Sequence, residues 1–213
     1  MSQFTMKNVR TDDPVGIAEM ESFLLLHPDE NVRPRPEAQF KMALNIGQGF
    51  VVQQDGETCG CSLVYKFQPG PNGYAYSEIG TMRIETNGSF NMQAFLAKFH
   101  LFQIYIEEFE PGQLNQVFGV VKADTASEHI LKNKVSMSPW APPPPALVSE
   151  RGRAGLPFQS DKYVLHATEQ TFKEAFADLR EWHISDNQFQ TPKNSGNITV
   201  LLNWFDQTLL NLF

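Results

Sequence analysis

The hydrophobic pattern of residues 74–137 constrains the fold more than any other part of the chain. Tyr74, Tyr76, Glu78, Gly80, Met82 and Ile84 alternate with Ala75, Ser77, Ile79 and Thr81, which predicts a strand with Glu78 on a largely apolar face. The chain then turns through Asn87, Gly88 and Ser89, residue types suited to left-handed and side-chain-bonded turns. Over residues 90–109, Met92, Phe95, Leu96, Phe99, Phe102, Ile106 and Phe109 recur at three- and four-residue spacing, so a helix buries one stripe. Residues 116–121 read as a short strand, and residues 124–134 as a second helix with Asp124 or Thr125 as its N-cap. Strand, helix, strand, helix in that order require an α/β sheet. Free amide N–H groups at the start of the first helix face whatever lies beyond the strand end, the layout of a phosphate-binding turn.

That order, extended over roughly residues 4–140, resembles the GNAT superfamily of acyl-CoA N-acyltransferases. In the resemblance, residues 4–10 match the first strand, 13–27 and 35–46 the first two helices, and 49–54 and 59–67 the second and third strands around a turn at Asp55 and Gly56. Residues 74–84 and 116–121 match the fourth and fifth strands. The fold implied is a mixed, mostly antiparallel central sheet flanked by helices and splayed between the fourth and fifth strands, with a C-terminal helical extension.

The resemblance also implies a co-substrate, acetyl-CoA or another acyl-CoA, lying in the splay. Its pyrophosphate would meet the turn at Asn87, Gly88, Ser89, Phe90 and Asn91, with Asp124 and Ser127 contributing from the helix after the fifth strand. The main chain of Met82, Arg83 and Ile84 would lie near the thioester. In the family that turn is richer in glycine, whereas here Phe90 and Met92 take the usual glycine positions and Asn87 that of an Arg or Gln. Lys132 stands where the family often has a Tyr acting as general acid.

Direct attack of an amine on a thioester needs a base for the ammonium, a donor for the developing oxyanion and a proton for the thiolate. Glu78 is the candidate base, because desolvation on an apolar strand face makes a carboxylate a better proton acceptor. The alternative is an ion pair with Lys66 or Arg83.

Other reactive residues carry weaker patterns. Cys59 and Cys61 stand two apart on one strand and should point the same way, yet a single pair lacks the partners of a metal site, and buried free thiols are expected. His100, His129, His166 and His183 show no metal-ligand spacing, and neither Ser127 nor Ser136 lies in a nucleophile elbow. Asn197 to Thr199 matches a glycosylation triplet and reads instead as a helix start.

A net charge of −7 excludes a chain whose main ligand is nucleic acid and mildly favours a cationic acceptor, either a small amine or a peptide. No apolar run approaches the ~20 residues of a membrane span, and the N-terminus lacks a secretory core, so the expected location is cytoplasmic, without membrane contact. Organisation changes after Met137. Residues 1–140 form the acyl-CoA-binding core, 141–160 a Pro/Gly-rich connector in which Arg151 and Arg153 meet either an anionic ligand or solvent, and 161–213 a last strand and two helices. The first of those helices buries Phe172, Ala175, Phe176 and Leu179; the second, 197–213, docks on the core or forms a homodimer surface.

Three functions fit. One is an N-acyltransferase of the acetyltransferase type, another a binding or regulatory module on the same scaffold, and the third an acyltransferase taking its acyl group from an acyl carrier protein.

Overall fold

The computed structural model describes residues 4–28, 35, 37–45, 49–70, 73–85, 92–108 and 116–185. The turn at Asn87 to Asn91 and the helix expected over 197–213, with its homodimer surface, lie outside them.

Strands β1 (Phe4–Val9), β2 (Gly49–Gln54), β3 (Glu57–Gly70), β4 (Gly73–Ile84), β5 (Val117–Lys122), β6 (Ser138–Pro139) and β7 (Lys162–His166) build one sheet in the order β1-β2-β3-β4-β5-β7-β6. Neighbours pair antiparallel except β4 and β5, which run parallel. Helices α1 (Pro14–Leu26), α2 (Glu37–Asn45) and α5 (Pro145–Arg153) contribute Met20, Phe23, Ala43, Leu44 and Leu147 to the core on one face. Helices α3 (Met92–Glu108) and α6 (Glu169–Ser185) cover the other, where Phe102 and Tyr105 meet Phe176 edge to face at 5.5 and 5.0 Å between centroids. Each such aromatic side chain taken from water is worth roughly 1.5–3 kcal/mol, so α6 is held by its Phe172–Phe176–Leu179 stripe as its spacing implied. None of the helices among the described residues is long and apolar enough to cross a membrane.

Two bulges break the period-two alternation, and each moves side chains to the opposite face. In β3, Gln53 pairs with Thr58 while Val52 pairs with Gly60, leaving Cys59 as an extra residue. Cys59 therefore enters the core under α3 and Cys61 the core under α1 and α2, so the two thiols do not point the same way as strict alternation demanded. Both are free and buried, and desolvation raises their thiols, Cys59 to about 11 and Cys61 to about 12. In β4, Gly80 pairs with Leu63 but Arg83 with Cys61, so Thr81 and Met82 share one position, and Thr81 takes a positive φ of 45°. Past this bulge Met82 and Ile84 pack on the α3 face with Ile79, whereas Tyr76 packs on the opposite one. Strict alternation had put Tyr76, Met82 and Ile84 on one face.

The segment expected as a Pro/Gly-rich connector is ordered differently. Just before it Ser138 and Pro139 pair with β7, and within it α5 begins at Pro145, where a proline at the first helical position loses no hydrogen bond. Leu147 and Arg151, four apart, form its buried face. The helical spacing of those two residues decides the structure despite the glycines at 152 and 155.

Candidate active site

The cleft begins where β4 and β5 part. Their pairing covers only Ser77 with Val117 and Glu78 with Phe118. Beyond that point the β4 main chain from Ile79 to Met82 has no strand partner on the β5 side, and the bulge removes the β3 register at Thr81 and Met82 as well. The bulge is secured by a 2.6 Å hydrogen bond between the Tyr65 hydroxyl and Thr81 Oγ1. Burial raises the Tyr65 phenol, with the Thr81 bond and the nearby Arg35 opposing that shift. A β-branched residue at positive φ costs energy that a neighbouring contact must offset, and Tyr65 supplies one.

The parted strands enclose a cavity of roughly 100 Å³ that opens to solvent. One end, neutral apart from Lys122 and Lys162, is built mainly by local bonds. After β5, helix α4 (Ala126–His129) starts at Thr125, whose Oγ1 accepts the Glu128 N–H at 3.3 Å, while Glu128 Oε2 accepts the Asp124 N–H at 2.7 Å. The Thr125 Oγ1 bond to the Glu128 N–H makes Thr125, and not Asp124, the N-cap. Tyr163 donates to the Glu128 carboxylate, which lowers the Glu128 carboxyl, while desolvation and that same carboxylate push Tyr163 up to about 12. A π-helical turn (Ile130–Lys134) follows, closed by the Val135 N–H on the Ile130 carbonyl at 3.0 Å. Consecutive residues Ile130 and Leu131 then both line the cleft, together with Met82, Gln93, Thr125 and Ser127. Leu131 fits because Gly119 on β5 has no side chain; a Cβ there would stand 2.6 Å from Leu131 Cδ1.

The other end is charged. Glu78 lines it from β4, Arg35 from two residues before α2, and Arg151 from α5. Glu78 Oε1 accepts from Arg35 Nη2 and Oε2 from Arg151 Nη1, with side-chain exposures of only 2% for Glu78, 9% for Arg35 and 4% for Arg151. Aromatic rings enclose the guanidiniums: Arg35 lies over Tyr65 at 4.4 Å, and Arg151 over Phe158 at 4.6 Å with Phe67 and Phe118 behind it. Glu78 thus carries an ion pair, but with Arg35 and Arg151 and not with Lys66 or Arg83; Arg83 pairs with Glu85 instead. Arg153, by contrast, is exposed and pairs with Glu150.

Of the residues singled out by sequence, Glu78, Met82 and Ser127 meet in the cleft. Arg83 and Ile84 lie beyond its lining, and Asp124 borders a separate surface depression with Glu128, His129 and Lys132. Arg35, Gln93, Lys122, Phe158 and Lys162 line the cleft without any pattern that marks them in the sequence. Although the chain is acidic overall, the lining among the described residues holds Arg35, Lys122, Arg151 and Lys162 against Glu78.

Neither a protein-family model nor a curated protein sequence matches the chain. Solved structures do match in fold. An N-acetyltransferase from Staphylococcus aureus Mu50 superposes with a TM-score of 0.51 at 9% identity, over 78% of this chain and 97% of that one. Arabidopsis thaliana Naa50, in complex with the bisubstrate analogue CoA-Ac-MVNAL, gives 0.50 at 11% identity over 78% and 99%. N-acetylglutamate synthase from Neisseria gonorrhoeae, complexed with coenzyme A and N-acetyl-glutamate, gives 0.50 at 10% identity over 78% of this chain and 35% of its own. With the seven-stranded, mostly antiparallel sheet and its β4–β5 splay, the chain has the fold of the GNAT superfamily, in a divergent form.

Proposed function

We propose that the chain is an acyltransferase that moves an acetyl or other acyl group from acyl-CoA to an amine by direct attack. The observation that carries this reading is the cleft itself: two parallel strands part after two residue pairs, and a strained bulge at Thr81 interrupts the β3–β4 register beside the opening. Main-chain N–H groups held at a fixed bulge are suited to a developing oxyanion, since they need no rearrangement as charge appears.

The residues present suit acyl-CoA. Its arm of alternating alkyl and amide groups finds Ile130, Leu131 and Met82 beside Gln93, Thr125 and Ser127, and Lys122 and Lys162 suit its phosphates. The turn at Asn87, Gly88, Ser89, Phe90 and Asn91 is proposed to meet the pyrophosphate, with Asp124 at the outer edge. Bound there, acyl-CoA supplies an activated carbonyl. Glu78 accepts the proton of the incoming ammonium; each carboxylate oxygen has two lone pairs, so one on each remains beside the arginine bonds. Acceptors of the amine or peptide class are in keeping with the N-acetyl-glutamate and peptide analogue bound by two of the structural neighbours, and a location in the cytoplasm is consistent with this chemistry.

A second reading, a non-catalytic module on the same scaffold, is favoured by one observation: both Glu78 oxygens are already engaged by guanidiniums. Thiol release from acetyl-CoA in the presence of primary amines separates the two. The first reading expects release that depends on amine and on Glu78. Binding of acetyl-CoA without release under any amine supports the second, and an acyl carrier protein donor is indicated if acyl carrier protein thioesters react where acyl-CoA does not.

A further inference from the structure

We propose that the Arg35 end of the cleft docks a carboxylate of the acceptor, so that the substrate is an amine of the amino-acid class. Arg35 spends one nitrogen, Nη2, on Glu78. Its Nε and Nη1 are buried and have no hydrogen-bond partner among the described residues. Buried polar groups are paired in roughly 90% or more of cases, so two orphaned donors on a side chain that lines a cleft mark where a ligand acceptor belongs.

Charge points the same way. Arg35 and Arg151 both donate to Glu78, and among the described residues the cleft lining carries four basic side chains to one acidic one in a chain whose net charge is −7. A guanidinium presents planar N–H donors that match a carboxylate, and the stacking of Arg35 on Tyr65 fixes its plane. A singly charged carboxylate suits two guanidiniums that share one acid better than a phosphate dianion does. Because Arg35 and Glu78 touch, a ligand that engages both must carry its anion and its amine close together, as an α-amino acid does. The acidity of the chain therefore misleads about its acceptor: the cleft selects against a plain polycation.

The word acceptor rests on the acyltransferase reading, whereas the docking of a carboxylate does not. The test titrates the full chain with the common L-amino acids and, for each, the amine lacking the carboxylate. Calorimetry follows binding without acetyl-CoA, and thiol release follows turnover with it. At least one amino acid is expected to bind tenfold or more tightly than its amine. Arg35→Gln removes that difference, Arg35→Lys restores part of it, and inorganic phosphate fails to compete. Turnover of amines with no carboxylate preference overturns the docking and leaves the transferase reading standing. An Arg35-dependent preference without thiol release keeps the docking and sinks the transferase reading. Absence of binding by every amino acid, or phosphate binding as tightly as they do, overturns the docking regardless of the variants.

Discussion

The two ends of the cleft are held by different forces. At the neutral end, residues 122–135 make most of their own structure through the Thr125 cap and a π-helical turn, with bonds that span three to five residues, and Tyr163 adds one bond from β7 to Glu128. At the charged end, Arg35, Glu78 and Arg151 come from the stretch before α2, from β4 and from α5, and their bonds span 43 and 73 residues. A local end can change its lining without unfolding the protein. The charged end exists only when the whole sheet has closed, so any substitution there acts on stability and on function together.

The largest effect that tests this contrast is Glu78→Gln. It leaves two guanidiniums without their carboxylate in a buried site, and losing one partner of such a pair costs about 3–5 kcal/mol. Urea unfolding should register that loss together with a fall of about 10²–10⁴ in acyl transfer. A fully stable, inactive Glu78→Gln protein would show the charged end to be catalytic only. At the neutral end, exposed Ser127→Trp should leave unfolding unchanged within about 0.5 kcal/mol. It should nonetheless weaken acetyl-CoA binding at least about tenfold, or about 1.4 kcal/mol, as seen by calorimetry.

His100, outside both ends, supplies a control. It is wholly buried against Ser62 at 2.8 Å, and desolvation lowers its imidazole from the usual 6.5 to about 3. Between those values the unfolded chain binds a proton that the native one refuses, so the contribution is intact above pH 6.5 and falls by about 1.4 kcal/mol per pH unit below it. That comes to about 2 kcal/mol by pH 5. His100→Gln should flatten this limb in equilibrium unfolding measured from pH 7 to 4; acid sensitivity that survives belongs to other groups, the cleft included. The smallest effect is Tyr65→Phe, which removes the bond to Thr81 and should cost about 1 kcal/mol, with a drop in kcat larger than any change in KM if the bulge positions the reacting carbonyl.

The same difference between local and distant bonds explains what the sequence reveals. The strand and helix order up to residue 134, an N-cap at Asp124 or Thr125 and the buried stripe of α6 are short-range patterns, and these are legible in the amino acids alone. The bulges are not, because no residue type demands them: Thr81 adopts a positive φ only where Tyr65 and the neighbouring strand hold it. Missing them turned Met82 and Ile84 to the wrong face and put Cys59 and Cys61 side by side. Arg35 and Arg151 could not be paired with Glu78 from spacing, since α5 itself was hidden behind a proline run and two glycines. Glu78 was visible as a carboxylate on an apolar strand. Its two partners were not.

The central claim is that the β4–β5 cleft binds acyl-CoA. Thermal unfolding of the full chain with increasing acetyl-CoA, alongside Ser127→Trp, measures it most directly. The account predicts stabilisation that grows with the logarithm of ligand concentration, about 2.7 kcal/mol at one hundred times Kd, and a curve displaced to higher concentration by the tryptophan. An unchanged unfolding temperature at millimolar acetyl-CoA, or an identical curve for the two proteins, would contradict it.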